Sequence, residues 1–338
     1  MEDLIDKLSK KYPDQTPIRV SRYVPNCLIG RTKVWKDEKE TITATDTLYP
    51  AGSIQEYIRA PGYNENSTIK SRLYREVSRM TMFIFGMGAK FLLSGINTTL
   101  VHGAQNLQNV LSRPVHVPLL SYFNHNSCFD DPGLMGAILS PAQLADVKGM
   151  RWSVSATEII FLNRPLSMFW SLGKVVPGVR GWGPRQPAID FLINRLNEGS
   201  WVNIFPEAKV VESHSQERFK WGIGRLVAEA KLCPIILPVY HLGMNRVLPN
   251  PGPGESQPFV IRPGNLVTVC IGEPIDLTSL REQLREEKEE YVWSRITREL
   301  QDVMKDLEKR TRTLHTQNIL NWVRRWHDAR DLYSYILT

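Results

Sequence analysis

The chain has 338 residues, 42% of them hydrophobic and 23% charged, a globular composition and a length sufficient for one large or two small domains with a full core. A net charge of +7 and a pI near 9.2 point to an anionic partner: a membrane surface, a phosphate-bearing substrate or nucleic acid. Cys27, Cys128, Cys233 and Cys270 lie far apart with no CxxC pair, which argues against a zinc site or disulfide framework, and no apolar run reaches the roughly 18 residues of a spanning helix.

The N-terminal stretch, with Glu2, Asp3 and Asp6, reads as neither a secretory signal nor a transit peptide. Residues 1–75 are polar, with scattered Pro, Gly and Asn, and form an extension without chemistry of its own. Composition changes at Met80. Met80, Met82, Phe83, Ile84, Phe85, Met87, Phe91, Leu92, Leu93 and Ile96 crowd one segment, broken by Gly86, Gly88, Lys90 and Gly95. Two readings stay open: a segment lying in a membrane interface, and a buried core helix.

The apolar run Val117 to Leu120 then leads into Tyr122-Phe123-Asn124-His125-Asn126-Ser127-Cys128-Phe129-Asp130-Asp131-Pro132. This order reads as strand, tight loop and helix start, with Asp131 as the capping carboxylate and Pro132 at the first helical position. His125 falls in the loop and Asp130 at the mouth of the helix. Their spacing is wrong for one helix face, where neighbours lie three or four apart. A turn at Asn126-Ser127 would bring them together. A carboxylate that accepts from one imidazole nitrogen fixes the tautomer and frees the other to take a proton, which makes a base for activating a hydroxyl. Such a two-residue pattern also recurs by accident, so the rest of the chain must weigh in.

Arg151 to Val154 begins a β-like run. Ile159 to Leu162 with Leu166, Met168, Phe169 and Trp170 form a second apolar patch, interrupted by Asn163-Arg164-Pro165; membrane interface and core again stay open. A Val-rich run from Lys174 ends at Arg180 inside a glycine-rich turn, where a forked guanidinium can meet a phosphate. Pro187 to Leu196 reads as a helix, with Ile189, Leu192, Ile193 and Leu196 on one face and Gly199 ending it. The strand Trp201 to Phe205 stops at Pro206-Glu207-Ala208-Lys209, a turn with both charge signs. Arg218 to Arg225 opens another helix, and Lys209, Arg218, Lys220 and Arg225 form a basic cluster. Pro234 to Tyr240 is a buried-type strand. Strands alternating with helices predict an α/β layered domain with its polar residues at strand ends.

Residues 251–264, rich in Pro and Gly, form a surface excursion, and Leu266 to Ile271 an edge strand. From Leu280 the chain is helical, with Val292, Ile296, Leu300, Val303 and Leu307 on one face. A last segment repeats the pattern with Ile319, Trp322, Val323 and Trp326 beside Arg324 and Arg325; it docks on the core or sits on an anionic membrane.

Four stretches in this order, N-H-N-S-C-F-D-D-P, V-V-P-G-V-R-G, F-P-E-A-K-V and I-I-L-P-V, resemble the sequence blocks of the glycerophospholipid acyltransferase superfamily. R-F-K-W-G-I-G-R-L and H-L-G-M-N-R-V-L-P-N narrow the resemblance to its tafazzin family, over roughly residues 80–310. The resemblance implies an α/β layered fold, a central mixed sheet flanked by helices. It implies an acyltransferase domain at 76–310, with interfacial membrane segments near 80–100 and 159–179, between the extension 1–75 and an amphipathic helical tail at 311–338. The implied activity is coenzyme-A-independent acyl transfer between phospholipids and lysophospholipids, remodelling cardiolipin. In it His125 is the general base and Asp130 its orienting carboxylate, while Asn124, Arg180, Glu207 and Lys209 bind substrate. No cofactor and no metal are implied. The partners are cardiolipin, phosphatidylcholine and a membrane surface that is touched rather than spanned, at the inner or outer mitochondrial membrane facing the intermembrane space; nucleic acid is not among them. Cys128 reads as packing. Ala208 stands where the family usually has glycine, and Gly181 to Gln186 departs from the usual G-x-G-V-Y-Q. Two alternatives stay open: an acyl-CoA-dependent lysophospholipid acyltransferase, which shares the first block, and a catalytically silent membrane-binding protein with this fold.

Overall fold

The computed structural model describes residues 69–327 except 162, 212–216 and 251–259, so most of the polar extension, the surface excursion and the end of the tail lie outside the described residues. Helix α1, Ile69–Lys90, opens the described chain and continues into a π-helical turn, Phe91–Ile96. Strand β1, Thr98–His102, and helix α2, Ala104–Leu111, follow; neither is expected from the sequence. Next come β2, Leu119–Phe123, α3, Asp130–Ile138, and the short α4, Pro141–Leu144. β3, Trp152–Ala156, leads to α5, Thr157–Ile160, α6, Arg164–Leu172, and β4, Val175–Gly178. The helix expected from Pro187 is α7, Pro187–Asn197, closed by Gly199 at a left-handed φ of 77°. β5, Trp201–Ile204, α8, Gly222–Glu229, β6, Ile235–Leu242, and the single turn α9, Met244–Val247, complete the central units. β7, Leu266–Ile271, α10, Thr278–Gln283, and α11, Glu289–His327, end the described chain.

The strands form one seven-stranded sheet in the order β1-β7-β6-β2-β5-β3-β4. β6, β2, β5, β3 and β4 run parallel. β7 is antiparallel to β6, and β1 is parallel to β7, so the sheet is mixed, as the resemblance implies. Leu266 to Ile271 is not an edge strand: β7 lies between β1 and β6 and is buried along its whole length. Its mostly apolar sequence, interrupted only by the buried Thr268, is the pattern of a strand covered on both faces.

β2 sits at the centre, with Leu119 in register with Trp201 on one side and Ile235 on the other. Its alternating side chains feed two cores. Leu120 and Tyr122 pack with α7, α8 and α11; Leu119 and Phe123 pack with α1, α2 and α3. The α1–α3 crossing depends on small residues: a Cβ added to Gly136 would stand 2.6 Å from both Ala89 Cβ and Gly86 O.

α1 combines the two readings left open. Met82, Ala89 and Leu93 are buried in the core, while Met80, Ile84, Phe85 and Phe91 stay exposed. α6 likewise exposes Met168, and Phe85 meets Phe169 edge-on at 5.0 Å, joining the two helices. Among the described residues no helix is long and apolar enough to cross a membrane.

Candidate functional site

β2, β5 and β6 are adjacent parallel strands, and the loops that leave their C-terminal ends meet. The connections turn outward from β2 to β3 and then return to β6 on its other side, so the loop after β2 lies where the strand order reverses. Open α/β sheets hold ligands at such a point.

The β2–α3 loop closes through a turn in which the Asp130 N–H donates to Ser127 O at 3.0 Å. This turn folds the buried Asp130 carboxylate back over the loop. Its Oδ2 accepts from His125 Nδ1 at 2.9 Å and from the main-chain N–H groups of Asn126 (2.6 Å) and Ser127 (2.9 Å). A carboxylate only accepts, so His125 carries its proton on Nδ1 and leaves Nε2 as a lone pair. The ring is 21% exposed and lies over Phe205, with centroids 4.4 Å apart. Asp130 stands in the first turn of α3, where the helix dipole favours a negative charge.

Asp131 is not the cap expected. The helix begins two residues earlier than expected, at Asp130 with Phe129 at the cap position, with Pro132 inside its first turn and no side-chain cap. Asp131 instead receives a fork from the buried Arg151, Nε to Oδ1 at 3.0 Å and Nη2 to Oδ2 at 2.7 Å, and Arg151 also donates to Gly173 O. The start of α3 is thereby tied to the residues before β3 and β4.

Glu207, after β5, converges on the same point. It is buried, and its Oε2 accepts the His125 main-chain N–H at 3.2 Å. Burial pushes its carboxyl up to about 8, against the pull of that hydrogen bond and with the charges of Asp130 and Glu217 adding to the rise. Near neutral pH the group is therefore largely protonated, a donor as well as an acceptor. The turn that carries it is strained: Ala208 sits at φ 56°, left-handed, with its N–H on Phe205 O at 3.0 Å. Beyond the turn, the Val211 N–H reaches His125 O at 2.7 Å.

Asn124 is placed differently from the substrate contact expected of it. Its side chain is buried, donating to Asn126 Oδ1 (2.9 Å) and His241 O (3.0 Å) and accepting the His241 N–H (2.8 Å). With its amide engaged on both atoms, it positions the loop. Arg180 and Lys209 lie at the rim, about half exposed, each ion-paired: Arg180 with Glu158 at 3.2 Å and Lys209 with Glu217 at 2.9 Å. Of the expected basic cluster, Arg225 is held by Asp190 and Glu229. Cys128, expected to pack, is exposed. Sequence reasoning missed the support beneath the loop. Ser127 Oγ donates to Leu248 O at 2.9 Å, Asn250 Nδ2 to Asn126 O at 2.9 Å, and the buried His241 ring meets Asn124 O at 2.8 Å. The signal was the run from His241 to Asn250, marked as distinctive but given no role.

Residues 99–242 match the family model described as Acyltransferase. The chain is 36% identical over 250 residues to the Tafazzin of Drosophila melanogaster, a match covering 73% of this chain and 65% of that protein. It is also 36% identical over 190 residues to the N-acylphosphatidylethanolamine synthase of Arabidopsis thaliana, covering 56% of this chain and 66% of that protein. The matches thus span just under two thirds of the length of these curated relatives. Among solved structures, the 1-acyl-sn-glycerophosphate (LPA) acyltransferase PlsC of Thermotoga maritima aligns with a TM-score of 0.45 at 17% identity, covering 77% of this chain and 91% of that chain.

Proposed function

We propose, on the match of residues 99–242 to the Acyltransferase family model, that the chain transfers acyl chains between phospholipids and lysophospholipids without coenzyme A. The observation that carries the proposal is the His125–Asp130 pair, whose hydrogen bond leaves the second imidazole nitrogen basic on a partly exposed ring. His125 Nε2 takes the proton of a lysophospholipid hydroxyl. The alkoxide attacks an ester carbonyl of the donor phospholipid, forming one C–O bond. The tetrahedral intermediate expels the donor's glycerol oxygen, which takes the proton back from the imidazolium. Asp130 stabilises the imidazolium while it lasts.

Protonated Glu207, fixed beside His125, offers a hydrogen bond to the substrate hydroxyl or to the developing oxyanion. Arg180 and Lys209 are the head-group contacts. Exposed ion pairs of their kind are worth little, about 0–1 kcal/mol, so Glu158 and Glu217 yield readily to a phosphate. The exposed apolar side chains of α1 and α6 seat the protein in a membrane interface. Likeness to tafazzins supports cardiolipin and phosphatidylcholine as the lipids and a mitochondrial membrane as the place.

The test is acyl exchange between labelled phosphatidylcholine and lysocardiolipin in membranes, with no coenzyme A, for the native chain and for His125→Ala. Exchange that disappears in the variant supports the proposal; transfer only after acyl-coenzyme A is added replaces it with the coenzyme-dependent alternative. Equal identity to the Arabidopsis synthase favours one second reading, with the amine of phosphatidylethanolamine as acceptor. Appearance of N-acylphosphatidylethanolamine in the same assay would select it.

A further inference from the structure

His241, near the C-terminal end of β6, is fully buried under the loop that carries the base. Its ring Nε2 lies 2.8 Å from Asn124 O. A carbonyl only accepts, so this nitrogen carries the proton and the ring is the neutral Nε2–H tautomer. The same nitrogen lies 3.6 Å from Asp130 Oδ2, the oxygen that holds His125. The other carboxylate oxygen, Oδ1, takes no hydrogen bond among the described residues, so His125, the loop amides and His241 all gather on one atom. His241 also grips Asn124 through its main chain, its N–H and C=O both bound to the Asn124 side-chain amide at 2.8 and 3.0 Å.

From this geometry we infer that His241 is a positioning residue for the base: a buried neutral imidazole that fixes Asn124, and with it His125, against Asp130. The inference rests on the proposed role of His125 and deepens it. Three hydrogen bonds from one residue hold the residue just before the base. The ring seals the inner side of the carboxylate from water, which strengthens the Asp130–His125 interaction by keeping its surroundings apolar. Burial disfavours the charged ring, so His241 does not compete as a second cation for the carboxylate. An apolar side chain of similar volume would fill the space but would leave the Asn124 carbonyl without its donor.

The experiment uses the full chain with two substitutions. His241→Met keeps the volume and removes the donor; His241→Gln puts an amide N–H near the position of Nε2. Transfer kinetics are read beside the tautomer of His125, followed by NMR of protein labelled with 15N in its imidazoles. For His241→Met, kcat is expected to fall about 10- to 100-fold, a part of what a positioned base supplies, with KM unchanged and the His125 ring exchanging between tautomers. His241→Gln is expected to return to within about threefold of native and to recover the Nδ1–H signal. Native kcat and a native His125 tautomer in His241→Met would overturn the inference, as would equal losses in both variants with the tautomer unmoved. The native spectrum is a further check even if a variant does not fold: finding His241 as imidazolium or as the Nδ1–H form overturns the inference. A native chain that transfers no acyl group would sink the proposed function, whereas the tautomer readout would still judge His241.

Discussion

Ala208 holds a left-handed φ of 56° next to Glu207, a conformation that costs an L-residue roughly 1–2 kcal/mol. Strain of this kind persists where the surroundings over-determine the backbone, here by the Ala208 and Val211 N–H bonds on either side of the turn. Ala208→Gly is expected to relieve it, and the greater freedom of glycine in the unfolded chain returns part of the gain. The expected net is about 0.5–1 kcal/mol of added stability in urea unfolding; a lower midpoint would mean that the turn is not strained by its methyl group. Glu207 gives a prediction with a sign. Its folded-state value of about 8 lies above the ordinary 4.5, so the folded chain binds the proton more tightly than the unfolded one. The contribution is fully present below about 4.5 and is lost as pH rises towards 8. The native protein should lose up to about 1.4 kcal/mol per pH unit in that window from this group. Glu207→Gln should flatten the melting temperature between about pH 4.5 and 8 relative to the native chain; parallel curves would show that Glu207 ionises freely. The pairing of His125 with Asp130 was legible because a turn between two residues is a local matter. The use of Asn124 was not, because its partner lies 117 residues away and is mostly main chain.

α1 explains why composition left its apolar segment undecided: both readings hold, on different faces. The face toward α3 needs Gly136 opposite Ala89 to let the backbones approach, while a Cβ at Gly86 would meet the Leu144 side chain of α4 instead. The blocking atoms around Gly136 include main-chain Gly86 O and Lys90 N, at 2.6 and 2.8 Å from an added Cβ, which cannot swing aside as a side chain would. Gly136→Leu is expected to cost about 3 kcal/mol or more in urea unfolding and to push α1 away from the helix that begins with Asp130. A melting temperature within a degree or so of native would mean that the crossing is loose. Strong single-period segments such as α7 were legible from Ile189, Leu192, Ile193 and Leu196, all of them buried. β1, with five half-buried residues, carries no such pattern, and its place is fixed by pairing with β7 far along the chain. β7 reads as an edge strand in the sequence, yet five of its six residues are apolar and all six are buried, the signature of an interior strand.

At the scale of the whole molecule, three features have to be reconciled: a sheet covered on both faces, a site at the ends of its central strands, and apolar side chains left in solvent. The first two describe an α/β enzyme acting on a dissolved substrate equally well. The third does not. Leu73, Met80, Ile84, Phe85 and Phe91 on α1 and its extension, with Met168 on α6, are all more than half exposed. Single exposed apolar residues are ordinary, but a succession of them along one helix with an aromatic bridge to a second is a surface with an affinity. The net charge of +7 adds attraction to anionic lipid. Each apolar side chain moved from water into the acyl boundary contributes on the order of 1 kcal/mol when partly buried, so Ile84→Asp with Phe91→Asp should weaken binding to phosphatidylcholine–cardiolipin vesicles by about 30-fold or more. Neither side chain packs in the core, so the melting temperature should hold. Transfer from lipids presented in vesicles should fall with binding, while transfer between detergent-dispersed lipids should survive, because His125, Asp130 and Glu207 are untouched. Vesicle binding that is indifferent to both substitutions would move the membrane contact elsewhere on the molecule. Binding that is lost while vesicle transfer persists would mean that the protein takes up the transferred lipids from solution and that the exposed face serves another purpose.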